Sequence, residues 1–103
     1  MLNRDTAILT RTHKLLKQGW CNNALARDKI GMPTMPNSVE AVEWCLLGGL
    51  MRASNDLGFE SYVEASRYMV NLIPESWLSQ YNNSHTKAEV LSLLDEAIEV
   101  SVS

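Results

Sequence analysis

Asn37-Ser38-Val39-Glu40-Ala41-Val42-Glu43-Trp44-Cys45-Leu46-Leu47-Gly48-Gly49-Leu50-Met51-Arg52-Ala53-Ser54 is the stretch on which the fold turns. Asn37 with Glu40 three residues later fits a capping box, in which each end of the pair satisfies a free backbone N–H of a new helix. Val39, Val42, Leu46, Leu50 and Ala53 then fall on one face of a helix running to about Ser54, where Asn55-Asp56-Leu57-Gly58 turns the chain. Trp44, Leu47, Gly48 and Met51 form a second apolar side. A helix apolar nearly all round belongs at the centre of a domain. Gly48 and Gly49 each cost about 1 kcal/mol relative to Ala in a helix interior, so a neighbouring element is expected to come close there, most simply a crossing helix.

Outward from this centre, residues 5–18 place Ile8, Leu9, Thr12, Leu15 and Leu16 on one face of a first helix, with Gly19 where a left-handed cap would end it. Arg4, Arg11 and Lys14 form a basic stripe beside that face. From Trp20 to Asn37 the period is lost, and Asp28-Lys29-Ile30-Gly31 with Pro33 and Pro36 reads as turns and extended chain, with Ala24-Leu25-Ala26 able to supply a short strand. Phe59, Tyr62, Val63, Ser66, Met69, Val70 and Ile73 recur at helical steps and define a third helix that Pro74 ends. Thr86 with Glu89 is a second capping box, opening a fourth helix through Val90, Leu91, Leu94, Ala97 and Ile98 to about Val100. Asp95, Glu96 and Glu99 crowd its negative end, and the basic stripe of the first helix is their expected partner. The expected fold is all-α: one compact four-helix domain over residues 1–103, with a long turn-rich connection between helices 1 and 2.

Composition narrows the function classes. The chain of 103 residues carries nine basic and twelve acidic side chains, a net charge of −3, which disfavours a dedicated nucleic-acid binder. Residues 1–29 hold six basic and two acidic groups, so the acidity resides in the remainder. No apolar run suits a signal peptide or a membrane span, and a cytoplasmic protein is expected. Cys21 and Cys45 lack metal-ligand spacing and read as free thiols packed in the interior. No glycine-rich phosphate loop, serine elbow or carboxylate constellation occurs, so no catalytic residue, metal or cofactor is assigned.

Trp-Cys occurs twice, at Trp20-Cys21 and Trp44-Cys45. With Leu15-Leu16-Lys17-Gln18-Gly19 before the first copy, Ala24-Leu25-Ala26-Arg27-Asp28 after it, Leu46-Leu47-Gly48-Gly49 after the second, and Thr86-Lys87-Ala88-Glu89-Val90-Leu91, the chain resembles a domain-of-unknown-function family of small bacterial and phage proteins. The resemblance spans about residues 5–99 and implies no activity. Family members often carry Trp-Asn-Asp where this chain has Tyr81-Asn82-Asn83. Arg27, Asp28 and Asn82 match the polar positions of the pattern.

The polar residues Arg27, Asp28, Asn82, Asn83 and His85, with Trp20 and Tyr81 to stack on a planar group, form the expected ligand site in the two loops flanking the bundle. A non-enzymatic binding protein is the leading expectation, its partner a small nucleotide-like anion or a host defence protein that it blocks. A small hydrolase using Cys21 or Cys45 with His13 or His85 is one alternative. The other is a structural homo-oligomer without ligand. A homodimer or higher homo-oligomer is expected in either case, because the second helix has more apolar surface than a small bundle covers.

Overall fold

The computed structural model describes residues 3–102, and its central helix starts at Leu46 rather than beside Asn37. Asn37 donates from Nδ2 to Asn55 Oδ1 at 2.9 Å, and the Glu40 backbone N–H finds Ser38 Oγ, so no capping box forms there. The cap is Cys45, whose Sγ accepts from the Gly48 N–H at 3.2 Å. Trp44, on the expected helix, stands instead in a strand, its indole N–H donating to the Pro36 carbonyl at 3.0 Å. Apolar spacing in 39–44 suited a helix, but two of those side chains, Val39 and Val42, face solvent. Long-range pairing overrode the local period.

In chain order the elements are α1 (Arg4–Gln18), β1 (Ala26–Arg27), β2 (Pro33–Thr34), β3 (Glu43–Trp44), α2 (Leu46–Ala53), α3 (Phe59–Val70), α4 (Leu78–Ser84) and α5 (Lys87–Ser101). The all-α, four-helix expectation is therefore corrected: the described residues form five helices and a small sheet of order β2-β1-β3, antiparallel throughout. The long connection expected to be turn-rich supplies two of the three strands, with Ala26 opposite both Thr34 and Trp44. The fifth helix, α4, escaped sequence reading because Leu78-Ser79-Gln80-Tyr81-Asn82-Asn83-Ser84 is too short and polar to show a period. At α5 the expected capping box forms, with Thr86 and Glu89 each bonding the other's backbone N–H.

α1 packs against α5, α2 and α3, and Ile8, Leu9, Leu16, Leu46, Leu50, Met69, Val90 and Leu94 form the centre of one core. Gly19 ends α1 with φ −163°, so the left-handed cap is absent. Glycine stands there because a Cβ would land on the Val42 carbonyl. Two members of the basic stripe pair elsewhere than with α5: Arg4 meets Glu64 of α3 and Arg11 lies 3.6 Å from Asp56, while the α5 acid Asp95 is met by His13 at 3.1 Å. Among the described residues no helix is long and apolar enough to cross a membrane.

Candidate functional site

The two Trp-Cys dipeptides lie side by side. Trp20 and Trp44 form a parallel bridge, with Trp44 N–H donating to Gly19 O at 2.9 Å and Cys21 N–H donating to Trp44 O at 3.2 Å. Asn82, fully buried on the inner face of α4, ties the pair together. Its Oδ1 accepts from the Trp20 indole at 2.7 Å and from the Leu46 N–H at 2.9 Å, and its Nδ2 donates to the Cys21 carbonyl at 3.1 Å. A buried amide with both ends occupied is a structural tie, since its partners would otherwise lie unpaired in the interior. Asn83 extends the tie: its Oδ1 accepts from the Asn23 N–H at 2.8 Å, holding that residue at φ 61°.

Arg27 and Asp28 fix the hairpin between β1 and β2. The guanidinium donates to the Gly31 carbonyl at 2.9 Å and the Asn22 carbonyl at 3.2 Å. Asp28 Oδ1 accepts from the N–H groups of Ile30 and Met32. Both side chains thus spend their hydrogen bonds on their own loop. Of the seven expected ligand residues, Trp20, Asn82 and Asn83 join the first loop to α4, and Arg27 and Asp28 brace the loop itself.

Tyr81 and His85 stand apart from that framework. They are one helical turn apart at the end of α4, stacked with ring centroids 3.8 Å apart and planes at 16°. His85 Nδ1 is 2.8 Å from the Tyr81 carbonyl and 3.8 Å from Glu75 Oε2. The pair walls a groove of about 330 Å³ between the end of α3 and α5, floored by Leu72, Ile73 and Leu93 and edged by Glu89, Ser92 and Glu96. Burial pushes the Tyr81 phenol above its usual pKa, and the carboxylates of Glu89, Glu75 and Glu96 push it further. Glu75 Oε1 is buried without a hydrogen-bond partner. Sequence reading missed Glu89 and Glu96 as groove residues. Only their seven-residue spacing on one face of α5 hinted at it.

The thiols are poorly suited to nucleophilic work. Cys21 and Cys45 are buried, and burial pushes Cys21 from the ordinary thiol value of 9.0 up to about 11, helped by Cys45 and Glu43 and opposed by Arg27. Burial raises Cys45 too, against the backbone N–H groups that favour its thiolate. The histidines are engaged elsewhere, His13 with Asp95 and His85 with Tyr81. Among the described residues no group of three or more His, Cys, Asp or Glu could hold a metal ion.

Comparison with known proteins matches residues 2–100 to a family model described as "Family of unknown function (DUF6197)". No curated protein matches, and no solved structure does.

Proposed function

We propose, for a chain that belongs to this family and inherits no activity from it, that it is a non-enzymatic binding protein whose ligand occupies the Tyr81–His85 groove. The stacked ring pair carries the reading: two rings held 3.8 Å apart along one wall of a cavity of about 330 Å³ present a preformed flat surface beside an apolar floor. Ligand sites combine such a surface with a few fixed polar groups, here Ser92 and the glutamates at the rim. A hydrolase reading has less behind it, because a reactive thiol needs a lowered pKa and a nearby base, and both cysteines have the opposite environment. Backbone amide NMR with a panel of small cationic, anionic and neutral compounds tests the proposal. Saturable shifts confined to residues 72–96 are expected, and a panel that moves no resonance there overturns it.

A second reading, self-association, is favoured by a separate observation. Ile30, Met35 and Val39 are 76%, 67% and 94% exposed, yet the loop that carries them is pinned by Arg27, Asp28 and the Arg52 guanidinium, which donates to the Pro36 and Ser38 carbonyls at 2.9 Å. Apolar side chains held rigidly in water suit burial against a second copy of the chain.

A further inference from the structure

We infer that the cleft between α1 and α2 is an anion site built for a phosphate monoester, separate from the Tyr81–His85 groove. The cleft, of about 320 Å³, is lined by Arg11, Lys14, Leu15 and Gln18 of α1 and by Arg52 of α2. Positions 11, 14, 15 and 18 recur at three- and four-residue steps and so share one face of α1. Three cations therefore meet in one depression of a chain whose net charge is −3, and none of the lining residues is acidic. Asp56 offsets one of these charges from an exposed position, its Oδ1 3.6 Å from Arg11 Nη1, which leaves two in excess.

Both guanidiniums are anchored on one side and open on the other. Arg52 donates from Nη1 to the Pro36 and Ser38 carbonyls, each at 2.9 Å, and its head lies 5.5 Å from the centre of the Trp44 ring. Arg11 also uses Nη1, which donates to the Ala53 carbonyl at 3.2 Å and faces Asp56. A guanidinium carries five N–H donors in a rigid fork, and among the described residues nothing bonds the Nε–Nη2 edge of either arginine. That edge can grip two oxygens of one phosphate at once. With the heads already fixed, little side-chain freedom is lost when an anion binds. Arg27, on which the anion expected from sequence depended, differs in donating from both Nη1 and Nη2 to its own loop. Lys14 adds a charge that the fold leaves unused, since among the described residues it has no hydrogen-bond or ion-pair partner. A dianion balances an excess of two charges, and a phosphate monoester carries about −1.5 to −2 near neutral pH, where a carboxylate carries only one.

The phosphate can arrive on a free nucleotide or on a phosphorylated side chain of another protein. The intact protein is titrated at about pH 7.5, above the second phosphate pKa of about 6, with inorganic phosphate, adenosine monophosphate, a phosphoserine peptide and acetate. NMR of the backbone amides and of the arginine Nε–H groups reads the binding. Saturable shifts are expected at the Lys14 and Gln18 amides and at Nε–H of Arg11 and Arg52, and the tighter of nucleotide and peptide identifies the source. Lys14→Gln, at an exposed position, is expected to raise the Kd about tenfold, the scale of one lost charge-assisted hydrogen bond, without moving the urea midpoint. Arg11→Lys keeps the charge but removes the fork and should weaken binding several-fold, which a diffuse positive surface would not show. Raising salt from about 20 to about 200 mM should also weaken it several-fold. An unchanged Kd in either variant overturns the site, and acetate binding as tightly as phosphate overturns the dianion assignment. Phosphates that shift only residues 72–96 belong to the groove, which overturns the cleft and leaves the groove reading standing. If no phosphate moves the α1 and Arg52 resonances, the cleft is not an anion site, whatever the groove binds.

Discussion

Asn82 shows how a single side chain can hold a fold together. It makes three hydrogen bonds to two segments distant in sequence, to the Trp20 indole and the Cys21 carbonyl in the first and to the Leu46 N–H that opens α2 in the second. Asn82→Ala leaves buried polar groups unpaired at about 1–3 kcal/mol each, so urea denaturation is expected to show a loss of at least 2 kcal/mol. Asn83→Asp should be nearly neutral, because a carboxylate accepts from the Asn23 N–H as well as an amide oxygen does. Arg27→Ala is expected to cost about 1–2 kcal/mol by freeing the Gly31 and Asn22 carbonyls, as a shift of the urea midpoint would report. The thiols set an alkaline limit. Cys21 keeps its proton in the fold up to about 11, whereas the unfolded chain releases it near its ordinary value. The stabilisation is therefore full below pH 9 and is lost as pH rises from 9 towards 11. Cys45, Tyr62 and Tyr81 are shifted in the same direction. Urea midpoints at pH 8 and pH 10.5 should differ accordingly, with a smaller difference in Cys21→Ala.

At the scale of elements, the two glycines of α2 have different neighbours. A Cβ on Gly48 would fall on the Leu25 carbonyl, so the loop ahead of β1, rather than a crossing helix, makes the close approach. On Gly49 it would meet the Cδ1 end of Leu16 on α1. A backbone cannot step aside as a methyl group can, and Gly48→Ala is expected to lower stability by at least 1 kcal/mol more than Gly49→Ala. Thermal unfolding of the two variants side by side decides the order. The start of α5 depends on its capping box, and Thr86→Ala should cost about 1 kcal/mol. Glu89 has its carboxyl held below the ordinary value of 4.5 chiefly by the Thr86 N–H and hydroxyl. Its contribution is present above pH 4.5 and lost as pH falls below it, which faster amide exchange at residues 87–90 in acid would report.

For the whole molecule, α2 no longer motivates oligomer formation, because Leu46, Gly48, Gly49, Leu50 and Ala53 are all buried within one chain. The self-association proposed above rests instead on the exposed side chains of Ile30, Met35 and Val39. Sedimentation at tens of micromolar is expected to show a dimer that Met35→Asp converts to monomer without changing the unfolding midpoint. A wild-type monomer at that concentration would remove the self-association reading and leave the groove untouched.

α1 and α5 were legible from sequence because each buries a stripe repeating at 3.6 residues, and at α5 the Thr86–Glu89 pair marks the start locally; α3 was legible as a helix, but its buried face is Ser61, Ala65 and Met69, while Phe59 and Val70 of the expected stripe are exposed. The free thiols were legible too, since they follow from spacing. The stretch 37–45 was not. Its apolar spacing fits a helix, but pairing of Glu43-Trp44 with Ala26-Arg27 and the indole bond to Pro36 hold it extended, and those partners are invisible to a local window. Tertiary contacts likewise divided the polar residues. Sequence placed Trp20, Arg27, Asp28, Asn82 and Asn83 in a ligand site, but only the structure shows their hydrogen bonds spent on the chain itself, those of Asn82 in the interior and those of Arg27, Asp28 and Asn83 at the surface. Tyr81 and His85, half-buried at the end of α4, stack beside a groove whose rim holds Glu89 and Glu96 of α5.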